Sequence, residues 1–94
     1  MERLTKRIPG TREYLVDEEL VAQIPEGYTG KAIRQLALFE NVYESLLADQ
    51  EKLAEQIEAL RLSGRGTSSR YKQLIAKKIS NSELLFLFDL QELL

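Results

Sequence analysis

Three glutamates, Glu44, Glu51 and Glu58, recur every seven residues and fall on one face of any helix that contains them. Carboxylates so arranged are the raw material of acid–base chemistry, but nothing nearby marks a water-excluding cleft that would tune their pKa values, and the ordinary reading is a solvated helix face. The rest of the chemical inventory is thin. The chain has no His and no Cys, which removes the commonest general base, the thiol nucleophile and the nitrogen and sulfur ligands of zinc. Gly64-Arg65-Gly66-Thr67-Ser68-Ser69 has the look of a phosphate-cradling loop, yet it follows a helical pattern instead of a strand and lacks the final glycine, so it reads as an interhelical turn. Gly27-Tyr28-Thr29-Gly30-Lys31 holds a Gly-Lys pair without the spacing or the Ser/Thr of a P-loop. The expectation is a protein that is not an enzyme, with no catalytic residues, no cofactor and no metal.

Charge offers a second kind of candidate. The net charge of −2 hides a stretch without any acid, carrying Arg61, Arg65, Arg70, Lys72, Lys77 and Lys78. Arg65, Arg70, Lys72, Lys77 and Lys78 are the candidate contacts for phosphates or for an acidic protein face. Tyr71 to Ser82, followed by a further helical segment, loosely mimics a helix-turn-helix. Its second half, Leu84-Leu85-Phe86-Leu87-Phe88-Asp89, puts apolar and acidic side chains where a recognition helix needs Arg, Lys, Asn or Gln. A nucleic-acid-associated accessory or regulatory role through residues 61–78 is therefore the alternative, and protein–protein interaction the main expectation.

The elements that must carry these residues are mostly helical. Leu36, Tyr43, Gln50 and Ile57 as a positions and Phe39, Leu46, Leu53 and Leu60 as d positions form a heptad seam, with only Gln50 polar. Ile33, Val42 and Leu47 widen it, which suits a bundle better than a two-stranded coiled coil. No Gly or Pro interrupts the chain from Lys31 to Leu62, so one long helix is expected at 31–62, stopped by Ser63-Gly64. Ser68 or Ser69 caps a second helix to about Ile79, Asn81-Ser82 breaks the pattern, and Ser82 caps a third helix to the C-terminus. Residues 1–30 read as an N-terminal arm. Leu4 to Val16 forms a small hairpin or an extended arm around Pro9-Gly10, and Asp17-Glu18-Glu19 starts a short helix through Ile24 that Pro25 ends.

The whole, 94 residues, is one domain of an all-α or nearly all-α class: a long helix and a C-terminal helical pair at 68–94 in an oligomeric bundle. With 44% hydrophobic and 30% charged residues it has the composition of a folded chain, not a disordered one. A helix of about 32 residues is roughly 48 Å long, beyond the diameter of about 32 Å expected of a compact chain this size. Ser82 to Leu94 adds eight large apolar residues in thirteen positions. Both surpluses call for a second chain, so a homo-oligomer, dimer or tetramer, is expected, with Leu36, Phe39, Tyr43, Leu46, Gln50, Leu53, Ile57, Leu60, Leu84, Leu87 and Phe88 in its interface. No segment reads as a signal peptide or is long enough to span a bilayer, and the lack of Cys suits a reducing cytoplasm. The expected partners are a second copy and an unknown protein, with no membrane.

The opening Met1-Glu2-Arg3-Leu4-Thr5-Lys6-Arg7, the segment Ala32 to Glu40 and the segment Tyr71 to Asn81 resemble small uncharacterised proteins encoded in prophages and mobile elements of Gram-positive bacteria. The likeness spans most of the chain and is one of pattern, without a diagnostic catalytic motif. Some proteins with this opening carry cysteine-rich segments absent here, so no metal role follows. The resemblance implies a mobile-element origin and assigns no functional residue.

Overall fold

A computed structural model describes residues 1–91 of the chain. Four short strands, β1 (Thr5–Arg7), β2 (Tyr14–Val16), β3 (Ala22–Ile24) and β4 (Gly27–Thr29), precede two helices, α1 (Lys31–Leu62) and α2 (Ser69–Leu90). The strands pair as two antiparallel hairpins, β1 with β2 and β3 with β4. The fold is thus α+β, which corrects the all-α expectation. Two compact units divide the chain at Asn41/Val42, within α1.

In the first unit, the hairpin alternative for Leu4 to Val16 is the one that forms. Thr5 faces Val16 and Arg7 faces Tyr14, a pairing of β-branched and aromatic residues that favours strand. Pro9-Gly10 turns the chain, and the Ile8 and Thr11 backbone and side-chain bonds close the loop. The short helix expected from Asp17 to Ile24 shrinks to a single 3-10 turn at Glu18–Leu20, and Ala22–Ile24 is strand instead. Pro25-Glu26 is the two-residue link that lets Ile24 face Gly27 and Gln23 face Tyr28. Its proline had signalled the end of a helix; it serves as the turn of a hairpin. Gly30, at φ +123°, joins this hairpin to α1, and a Cβ there would stand 2.5 Å from the Leu20 carbonyl oxygen and 2.8 Å from the Val21 Cα. Only glycine fits so close a crossing. Leu4 is buried, and with Ala32, Gln35, Leu36 and Phe39 of α1 it lines one hollow.

The second unit is a helical hairpin made by the later part of α1 and by α2. Gly64 ends α1 in the left-handed region at φ +79°, with the Arg65 amide bonded back to the Leu60 carbonyl and the Gly64 amide to the Arg61 carbonyl. This pair of bonds satisfies the last carbonyls of the helix. Ser68 then starts α2, its hydroxyl accepting from the Tyr71 amide at 3.1 Å. α2 runs unbroken to Leu90, so the two C-terminal helices expected from the sequence are one. Asn81 and Ser82 do not end a helix, because their side chains find partners on α1. Glu92, Leu93 and Leu94, the last positions of the apolar C-terminal segment, lie outside the described residues.

Candidate functional site

The seam of the helical hairpin is where the heptad pattern is used. Leu53 and Leu74 are buried at its centre, at 2% and 4% exposure. Leu46, Ile57 and Leu60 from α1 and Tyr71, Ile75 and Leu85 from α2 are half-buried. At the far end the Tyr43 and Phe88 rings meet with centroids 5.5 Å apart and tilted by 42°, a favoured aromatic geometry. Tyr43 meets Phe88, and Gln50 meets residues near 80. Leu60 and Leu74 line one shallow hollow with Arg70. The two helices therefore run antiparallel.

A polar layer crosses the middle of this apolar seam. Gln50 Nε2 donates to the Lys78 carbonyl at 3.1 Å and to Ser82 Oγ at 2.9 Å, while Ser82 Oγ donates to the same carbonyl at 2.9 Å. Beside it Asn81, buried at 8% exposure, donates through Nδ2 to Asp49 Oδ2 at 2.8 Å. Lys77 approaches the same carboxylate oxygen at 3.6 Å. Gln50 Oε1 is buried with no partner. Sequence reasoning singles out Gln50, reads Asn81-Ser82 as a helix break and misses Asp49; the available signal is that polar residues interrupt both helices at heights that an antiparallel hairpin brings level.

Of the other proposed interface residues, Leu36 and Phe39 are exposed on the first part of α1, and Leu84 and Leu87 are exposed on α2. Ile79, Phe86 and Leu90 on α2 and Leu47 on α1 are also exposed, and Ile79, Phe86 and Leu90 were not singled out. An open apolar surface wraps the outer side of α2, from Ile79 and Phe86 on one edge past Leu87 to Leu84 on the other.

The candidate chemical residues are not brought together. Glu44, Glu51 and Glu58 are exposed along α1. Glu58 is held below its ordinary carboxylate value by the hydrogen bond and the charge of Arg61, whose Nε lies 3.0 Å from Oε2. Gly64 to Ser68 are occupied with ending one helix and starting the next. Gly27, Tyr28 and Thr29 form a strand. Among the described residues no group of carboxylates is placed to hold a metal ion. Of the basic residues, Arg65, Arg70 and Lys72 are exposed, Lys78 is half-buried, and Lys77 faces Asp49. Among the described residues no helix is long and apolar enough to cross a membrane. Compared with protein-family models, curated proteins and solved structures, the chain matches none.

Proposed function

We propose that this chain is a non-catalytic assembly module that works as a homo-oligomer, its helical hairpin being the pairing unit. One observation carries the reading. Among the described residues only Leu4, Leu53 and Leu74 are buried hydrophobics, whereas Ile79, Leu84, Phe86, Leu87 and Leu90 on a single helix are each about half exposed, at 48–59%. Isolated apolar side chains on a surface are ordinary; five on the outer side of one helix, with Ile79, Phe86 and Leu90 clustered along one edge, mark a surface that another protein covers.

Light scattering on the purified chain at micromolar concentration tests this. A mass above that of one chain supports the reading, and a monomeric mass throughout overturns it. A salt-dependent shift of DNA at the same concentrations, with a monomeric mass, would instead favour a phosphate-binding role for Arg65, Arg70 and Lys72.

A further inference from the structure

The polar layer of the hairpin distinguishes its two edges. Gln50 reaches Ser82 along one edge, and Asp49 reaches Asn81 and Lys77 along the other. Residues three, four and seven positions away on a helix share an edge. Of these, Leu46, Leu53 and Ile57 on α1 and Lys78, Leu85 and Asp89 on α2 lie toward the seam, and Tyr43, Leu47 and Ala54 on α1 and Ile75, Ile79 and Phe86 on α2, continued by Leu90, lie toward the outside. This edge of the hairpin is apolar and open: Leu47 is 42% exposed, Ile79 55%, Phe86 58% and Leu90 59%. The opposite edge carries the Asp49–Lys77 ion pair and the Asn81 bond, with Leu84 beyond them.

We infer that a second copy of this chain covers the Gln50–Ser82 edge, so that two helical hairpins make a four-helix bundle. The inference rests on the homo-oligomeric reading above and names the surface it uses. Area and charge select a second copy as the occupant. Two helices about 30 Å long, spaced 8–10 Å apart, offer a face of roughly 600 Å², on the scale that one partner brings to a stable interface. Beside that edge α1 carries Glu51, four residues from Leu47, and Glu58, four from Ala54, against Arg61. Beside it the first half of α2, which has no acid, carries Lys72, seven residues before Ile79, and Lys78, four before Ser82. When α2 of one copy lies against α1 of the other, each acidic helix meets a basic one twice over, and the surface is complementary to itself. Ala54 in the centre of the edge lets the helices approach closely.

Single charges at exposed positions test the face. Ile79→Glu or Phe86→Glu should reduce the mass in light scattering to that of one chain while the helical circular dichroism is kept, because both side chains lie at the surface of the single hairpin. Leu84→Glu, on the other edge, should leave the wild-type mass unchanged. As the chain has no cysteine, Phe86→Cys and Leu84→Cys give a second readout. The thiol at 86 should react more slowly than that at 84 in the assembled protein, and equally fast after dilution to monomer. A wild-type oligomer that Ile79→Glu and Phe86→Glu leave intact, or that Leu84→Glu alone dissociates, overturns this face and leaves the oligomeric reading standing. So does equal reactivity of the two thiols in the oligomer, the measurement that decides the matter if the glutamate variants unfold. A monomeric wild type overturns both.

Discussion

Asn81→Ala separates two readings of the same residue by the sign of its effect. If Asn81 ended one helix and began a gap, alanine would extend the helix and stabilise it, by up to about 0.7 kcal/mol from propensity. In the structure Asn81 is 8% exposed inside a continuous helix, and its Nδ2 lies 2.8 Å from the Asp49 carboxylate. A hydrogen bond to an ionised acceptor contributes roughly 1.5–3 kcal/mol. Asp49 keeps Lys77 at 3.6 Å and has a side chain 34% exposed, so losing Asn81 does not strand a buried charge. Subtracting the propensity gain leaves a net loss of about 1–2 kcal/mol. For a domain of this length that lowers Tm by roughly 5–15 °C. Thermal melts followed by circular dichroism at a fixed protein concentration measure it, and the concentration must be fixed because association shifts Tm. A double-mutant cycle with Asp49→Ala should give a coupling of about 1 kcal/mol or more. Lys77→Ala, which removes an exposed partner, should cost under about 0.5 kcal/mol. An unchanged or raised Tm for Asn81→Ala, or zero coupling to Asp49, would refute the cross-helix bond.

Four further outcomes follow from single residues. Leu53→Ala empties the most buried position of the seam, at 2% exposure, and should cost about 2–5 kcal/mol in urea unfolding; a loss below 1 kcal/mol would mean that the hairpin does not close around it. Gln50→Leu removes the unpartnered Oε1, and the Lys78 carbonyl and Ser82 hydroxyl keep each other, so the melting temperature should rise, by an amount equivalent to about 1 kcal/mol. Gly30→Ala forces a Cβ to 2.5 Å from the Leu20 carbonyl oxygen and should cost about 1–3 kcal/mol, with faster amide exchange across Ala22 to Thr29. Glu58, held below its ordinary value of 4.5 by the Arg61 hydrogen bond and charge, contributes stability that is complete above that value and is lost as the pH falls through the lowered one. Glu58→Gln should therefore lower stability slightly near neutrality and converge on the wild type at low pH, flattening the acid side of the stability–pH profile, and added salt should shrink the difference because the pair is exposed.

Periodicity made α1 legible to the residue: Lys31 to Leu62 contains no Gly or Pro, and Gly64 stands where the last turn needs a left-handed position. The same kind of signal failed in the first thirty residues for a physical reason. Three-residue strands are too short to show alternation, so Ala22-Gln23-Ile24 carries no pattern that distinguishes strand from helix, and the decision falls to the turn at Pro25-Glu26. Proline stops a helix and starts a turn with equal ease, and only the pairing of Gln23 with Tyr28 chooses between them. At Asn81-Ser82 the failure was of another type. Local chemistry favours a cap or a break for these residues, because their short polar side chains compete for their own backbone.

Partners on a second helix change that balance. Asn81 turns to Asp49, and Ser82, while bonding back to the Lys78 carbonyl, also receives Gln50. A polar pair that weakens α2 taken alone becomes the feature that fixes its height against α1, since sliding the helices by one turn, about 5.4 Å, would take Gln50 from the Lys78 carbonyl and Ser82 and Asp49 from its place between Lys77 and Asn81. The heptad seam by itself admits such slips, every leucine being interchangeable with the next. The seam therefore supplies the attraction and the polar layer the register. An assembly surface built on the outer edge of this hairpin depends on both, because only at that height does Leu47 of α1 come level with the gap between Ile79 and Phe86 of α2.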